Sequence, residues 1–155
     1  MINKNQLTER SFTPSQLSGF DGAHSIQLPV DFIHDLSKAD SLQAVLDTIA
    51  YWISHVFDAD RASITLQDTE EYLKLYSISG NHAIPMDFKI PIGQTFVGRV
   101  FAQSQLIICD DLAQSDELDC KMLSEHGMGT CMDAPMIHNG VCIGTLNVAD
   151  QRKHH

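Results

Sequence analysis

Four cysteines stand eleven residues apart, Cys109, Cys120, Cys131 and Cys142, and His126, His138, Asp110, Asp111 and Asp133 lie among them. Thiolate, imidazole and carboxylate groups together suit a transition metal, and a thiol with a lowered pKa suits redox or nucleophilic chemistry. No CxxC pair marks a zinc knuckle or thioredoxin-like motif, and the chain carries no nucleophile elbow, phosphate-binding glycine loop or HExxH helix. What these side chains do therefore depends on where the fold puts them.

The stretch "HGMGTCMDAPMIHNGVCIGTLNVADQ", His126 to Gln151, settles part of that. A two-residue turn at Asn139-Gly140 makes it a hairpin in which His138 faces Val141, Ile137 faces Cys142 and Cys131 faces Val148. Cys131 and Cys142 then share a sheet face but lie on the order of 20 Å apart, too far for one metal or one disulfide. His138 sits on the other face. That face carries Met132, Ala134, Met136, Ile143 and Thr145; the first carries Cys131, Pro135, Ile137, Cys142, Gly144, Leu146 and Val148. A strand pair apolar on both sides belongs at the centre of a sheet, with helices over one face and further chain, a pocket or a ligand over the other.

The preceding residues supply the rest of that sheet. Residues 1–29 are polar and lack a sustained period, which reads as a linker or arm, and 30–155 reads as one domain. A short helix is expected near Val30. "DSLQAVLDTIAYWISHVFDA" follows, capped by Asp40 or Ser41, with Leu42, Val45, Leu46, Ile49, Ile53, Val56 and Phe57 at helical spacing. "RASITLQ", "EYLKLYSIS" and "MDFKIPI" alternate as three strands. Thr95 caps a helix carrying Phe96, Val100 and Phe101, and "LIIC" is a short buried strand. In "SDELDCKMLSEHG" Ser115 is the expected cap and Gly127 the left-handed stop, with His126 serving the last carbonyls. Leu118 and Met122 share a face of that helix, which turns Cys120 about 200° away from Leu118, towards solvent or a cleft.

With 20 acidic and 10 basic residues and no basic run, a formal charge of -10 excludes a phosphate backbone or an anionic membrane surface as a natural partner. No apolar stretch reaches the length of a membrane span, and the first residues lack a signal peptide's apolar core, so a cytoplasmic protein with reduced thiols is expected.

The order of elements, with "PIGQTFVGRVFAQSQLIICDD", a helix and then "MDAPMIHNGVCIGTLNVA", resembles the GAF domain family from Ser37 to Asp150. The resemblance implies an α+β, PAS/profilin-like fold: a central antiparallel sheet of about six strands, helices on one face and a ligand pocket on the other. By where family pockets lie, Phe96, Phe101, Cys109, Asp111, Cys120, Met122, His126, Cys131 and Asp133 would line it. It further implies a small-molecule sensor that controls an attached effector such as a cyclase, kinase or phosphodiesterase. No catalytic residue, metal or cofactor is required. The chain ends where the family's last helix would begin, and the helix at 41–57 is expected to pair in a homodimer.

Three sharper likenesses meet departures. Cyclic-nucleotide-binding members carry Asn-Lys where this chain has Asp150-Gln151. Bilin-binding members place a histidine after the thioether cysteine, whereas Lys121 follows Cys120. Free methionine sulfoxide reductases have a cysteine in the segment matching "GQTFVG", which has none, although Cys131-Met132-Asp133 echoes their second cysteine. Haem or iron held by His126 with Cys131 or Asp110 is a further option.

Overall fold

The computed structural model describes residues 8–17 and 27–153. The chain runs β1 (Glu9–Phe12), α1 (Pro14–Leu17), α2 (Val30–Lys38), α3 (Leu42–Val56), β2 (Arg61–Gln67), β3 (Tyr72–Gly80) and β4 (Lys89–Pro91). It continues through α4 (Phe96–Gln103), β5 (Leu106–Cys109), α5 (Leu118–Glu125), β6 (Thr130–His138) and β7 (Val141–Asp150). Seven strands form one sheet in the order β1-β5-β6-β7-β2-β3-β4, every pair antiparallel. The sheet thus has one strand more than expected. The extra strand, β1, belongs to the N-terminal arm and pairs Glu9 with Cys109 and Phe12 with Leu106. Arg99 of α4 holds that arm, donating to Glu9 Oε1 at 2.7 Å and to Glu117 Oε1 at 2.7 Å. Of "MDFKIPI" only Lys89–Pro91 is strand.

Each face of the sheet is covered by helix. α3, capped by Ser41 whose hydroxyl accepts from the Ala44 amide, packs Leu46 and Ala50 on Ile64, with Leu66, Met136 and Leu146 around them. On the opposite face α4 and α5 bury Phe96, Val97, Val100, Cys120 and Leu123 against Leu75, Ile107, Cys109, Cys131 and Ala149. α4 approaches closely because residue 98 is glycine: a Cβ there would collide with the backbone of Ile92. Thr95 caps the helix as its sequence suggests, accepting from the Gly98 amide at 3.0 Å.

The hairpin is turned by Asn139 (φ 50°) and Gly140 (φ 78°), and the expected pairs His138–Val141 and Ile137–Cys142 are present. Beyond them the register slips, because Ile143 is an extra residue on β7. Cys131 consequently faces Ala149, not Val148, and Thr145, Asn147 and Ala149 join Cys131, Asp133 and Pro135 on the α4/α5 side. Leu146 and Val148 turn to the α3 side, opposite to the unbulged register.

α5 also differs from its sequence reading. It starts at Leu118 with no side-chain cap; Ser115 Oγ accepts from the Glu117 amide ahead of the helix. Its buried face is Asp119, Cys120 and Leu123, while Leu118 is exposed. Cys120 therefore points into the core, with 0% of its surface exposed, rather than to solvent. The cause is tertiary, since Asp119 is drawn inwards to the start of α4.

Candidate functional site

Between the α4/α5 side of the sheet and its helical roof lies a cavity of about 30 Å³. Its floor is polar: Arg61, Ser63 and Thr65 of β2, Asp133 of β6 and Asn147 of β7. These positions alternate with apolar residues that face α3, so one strand period builds both a polar floor and an apolar underside. The walls are Leu75, Ile84, Ile90, Val97 and Leu123, and Asp119 enters from α5.

The polar groups are unequally satisfied. Asp119 accepts the backbone N–H groups of Phe96 at 2.8 Å, Val97 at 3.0 Å and Cys120 at 3.0 Å, a carboxylate seated at the start of α4 where the helix dipole favours it. Burial pushes its pKa up and those amides pull it back. Arg61 donates to the backbone carbonyls of Asn81 at 2.5 Å and Ile84 at 3.4 Å, and burial lowers it to about 10 despite the charge of Asp133. Thr65 and Thr145 share a hydroxyl–hydroxyl bond of 2.5 Å. Asn147 Nδ2 donates to Ser63 Oγ at 3.2 Å, but its Oδ1 is buried without a partner.

Asp133 is only 5% exposed, and its carboxyl makes no hydrogen bond among the described residues. Burial, and then the neighbouring Asp119 charge, hold its pKa well above the carboxylate range, with Arg61 opposing. Asp133 and Asn147 are direct cross-strand partners on the cavity side, so the two groups lie side by side.

Three of the four cysteines meet beside this cavity. Cys109 and Cys131 are paired across β5 and β6, and Cys120 of α5 is buried in the same core cluster. All three are buried. The bond to Cys120 and then burial raise Cys109; Cys120 lowers Cys131, which burial nevertheless pushes up to about 12; Cys120 is likewise raised overall, Cys109 pulling it down and Cys131 and burial pushing it up. Such thiols stay protonated and are poor nucleophiles. Among the described residues no cluster of histidine, cysteine or carboxylate has metal-site geometry.

Of the nine residues expected in a pocket, Cys131 and Asp133 line the cavity. Cys109 and Cys120 lie in the thiol group next to it, and Phe96 is wholly buried in the core with Phe101 and Met122 at its margin. Asp111 accepts from the Ala113 amide and pairs with Lys153 at 3.1 Å. His126 is exposed at the end of α5, its Nδ1 on the Met122 carbonyl at 2.9 Å, which is the helix-end role expected of it. Arg61, Ser63, Thr65, Asp119 and Asn147 were not anticipated. For Arg61, Ser63, Thr65 and Asn147 the signal is their alternation with apolar residues along β2 and β7; Asp119, on α5, carries no such signal.

The family model for the GAF domain matches residues 41–155. The chain belongs to the GAF domain family. Solved structures agree on the fold. This GAF domain resembles that of a phosphoenolpyruvate-protein phosphotransferase from Coxiella burnetii at TM-score 0.70 and 19% identity, over 81% of this chain and 76% of that one. It also resembles the free methionine-R-sulfoxide reductase of Neisseria meningitidis, solved with its substrate, at 0.67 and 18%, over 84% and 82% of the two chains. The chromophore-binding domain of an R. palustris bacteriophytochrome gives 0.62 and 13%, over 81% and 52%. No functionally curated protein matches. GAF domains are in general sensory and regulatory, and no helix among the described residues is long and apolar enough to cross a membrane.

Proposed function

We propose that this GAF domain is a non-catalytic, cytoplasmic sensor of a small molecule that controls an attached signalling module, such as a cyclase, kinase or phosphodiesterase. The observation that carries the reading is the roofed cavity whose floor holds Asn147 Oδ1, buried without a partner, beside the buried Asp133 carboxyl, which makes no hydrogen bond among the described residues. Buried acceptors without donors are costly, so such a floor suits a bound group that completes it. The roof helices α4 and α5 are joined through Asp119, which gives ligand binding a route to the outer surface. We further propose a homodimer through the outer face of α3.

Free methionine sulfoxide reduction is the competing reading, favoured by the burial of Cys109, Cys120 and Cys131 in one core cluster and by the likeness to the Neisseria meningitidis enzyme. Burial and raised thiol pKa values count against it. Native mass spectrometry with an absorption spectrum on protein purified from cells tests the sensor reading. A bound metabolite displaced by cavity substitutions supports it; bound haem or bilin would replace it with a chromophore or redox sensor.

A further inference from the structure

The sensor reading leaves the ligand's chemistry open, and the cavity floor narrows it; a ligand class drawn from that floor rests on the sensor reading. Asp119 has its oxygens occupied by three backbone amides, so it has little to offer a ligand. Arg61 turns donors to the carbonyls of Asn81 and Ile84. Its single positive charge stands against two carboxylates, Asp119 and Asp133, which leaves one negative charge in excess when both are ionised. The Asp133 carboxyl, an acceptor once ionised, makes no hydrogen bond among the described residues, Asn147 Oδ1 is buried without a partner, and the two residues are neighbours across β6 and β7. With the Arg61 donors turned to backbone carbonyls, what Asp133 and Asn147 Oδ1 lack is a donor of their own.

The remaining boundaries set its size and polarity. Ile84, Ile90 and Val97 close over the floor with apolar surface. A volume of about 30 Å³ accommodates roughly two or three non-hydrogen atoms, given that a single water needs about 10–15 Å³. An anion would face Asp133, and a large or quaternary cation has no room. A multidentate metal site is not formed among the described residues.

We infer that the cavity binds a small primary ammonium ion, its –NH3+ group between Asp133 and Asn147 Oδ1 and a short alkyl tail against Ile84, Ile90 and Val97. Three donors on one compact head match the carboxyl and the amide oxygen together.

The test is a titration of the isotope-labelled full chain with methylammonium and ethylammonium chloride, followed by amide NMR at constant ionic strength and mildly alkaline pH. Sodium and tetramethylammonium chloride serve as controls. So small a ligand binds in the millimolar range, within reach of the method. The expected result is a saturable shift of the Asp133, Asn147 and Ser63 amides with the primary ammonium ions alone, weakened about tenfold or more in Asp133→Asn. Asn147→Leu, which removes the second acceptor, is a further variant with the same expectation, and each variant's spectrum reports whether it is folded. Equal shifts with the controls, or unchanged affinity in both folded variants, would overturn the assignment. Neutral or anionic compounds of the same size that saturate these amides would also overturn it while sparing the sensor reading. Failure of every class of compound to perturb the cavity would sink both.

Discussion

Asp119 accepts the backbone N–H of Phe96 at 2.8 Å, so a buried carboxylate on α5 closes the first turn of α4. Val97 donates to the same carboxylate at 3.0 Å. Asp119→Ala would leave both amides buried and unpaired, at about 1–3 kcal/mol each before relaxation. The expected loss is about 2–4 kcal/mol in urea unfolding, with Asp119→Asn recovering part of it through its remaining carbonyl oxygen. A loss under about 0.5 kcal/mol, the level of an ordinary surface substitution, would show that the roof helices are joined by other means.

Burial and the Asp119 charge raise the Asp133 pKa well above its ordinary 3.8. The folded chain therefore keeps this proton to higher pH than the unfolded chain does, and its contribution to stability is full below about 4 and is lost as pH rises through the folded-state value. Asp133→Asn imitates the protonated form. Relative to the wild type it should gain stability steadily as pH rises above about 4 and show a constant difference below it. Urea midpoints of both proteins from acid to neutral pH give the comparison. A difference that does not change with pH would mean that Asp133 titrates as a solvated carboxylate.

The thiols should react in two classes. Cys142 is half-buried, whereas Cys109, Cys120 and Cys131 are buried. Labelling of the native protein by a thiol reagent should modify Cys142 first, and the other three only at the rate of opening. Free methionine sulfoxide with a dithiol reductant should not be turned over. Turnover abolished by Cys120→Ser or Cys131→Ser would establish the reductase reading instead.

α3 carries Leu42, Val45, Ile49 and Ile53 along one stripe; Leu42 is 63% exposed and the others are half-buried. α2 packs on α3 where Phe32 meets Trp52 and Trp52 Nε1 donates to Asp35 at 2.8 Å. A symmetric dimer centred on the exposed Leu42 end of this stripe is expected to dissociate on dilution and to be lost in Leu42→Glu. Trp52 is the poorer probe, because changing it disrupts the packing of α2. Sedimentation at rising concentration decides: a strict monomer throughout, or a Leu42→Glu dimer, would refute the interface.

The parts legible in the sequence were those governed by near neighbours. Ser41 and Thr95 cap helices, and Asn139-Gly140 turns the hairpin, because each choice is made within a few residues. The bulge at Ile143 left only Gly144 as a hint, a strand glycine whose Cβ would collide with the Thr65 carbonyl. Cys120 was misplaced because helical periodicity weighed Leu118 and Met122 and could not register that Asp119 is claimed by α4, more than twenty residues earlier. The floor of the cavity was missed for a related reason. Ser63, Thr65 and Asn147 become a floor only through the roof of α4 and α5, which strand alternation does not encode.

The central claim, that the cavity under α4 and α5 is a binding site, is tested most directly by a thermal-shift screen of small metabolites on the wild type and on Ser63→Leu, which fills the cavity floor. Compounds that raise the melting temperature of the wild type and leave Ser63→Leu unmoved are the predicted result. Compounds that stabilise both proteins equally would place binding elsewhere and contradict the account.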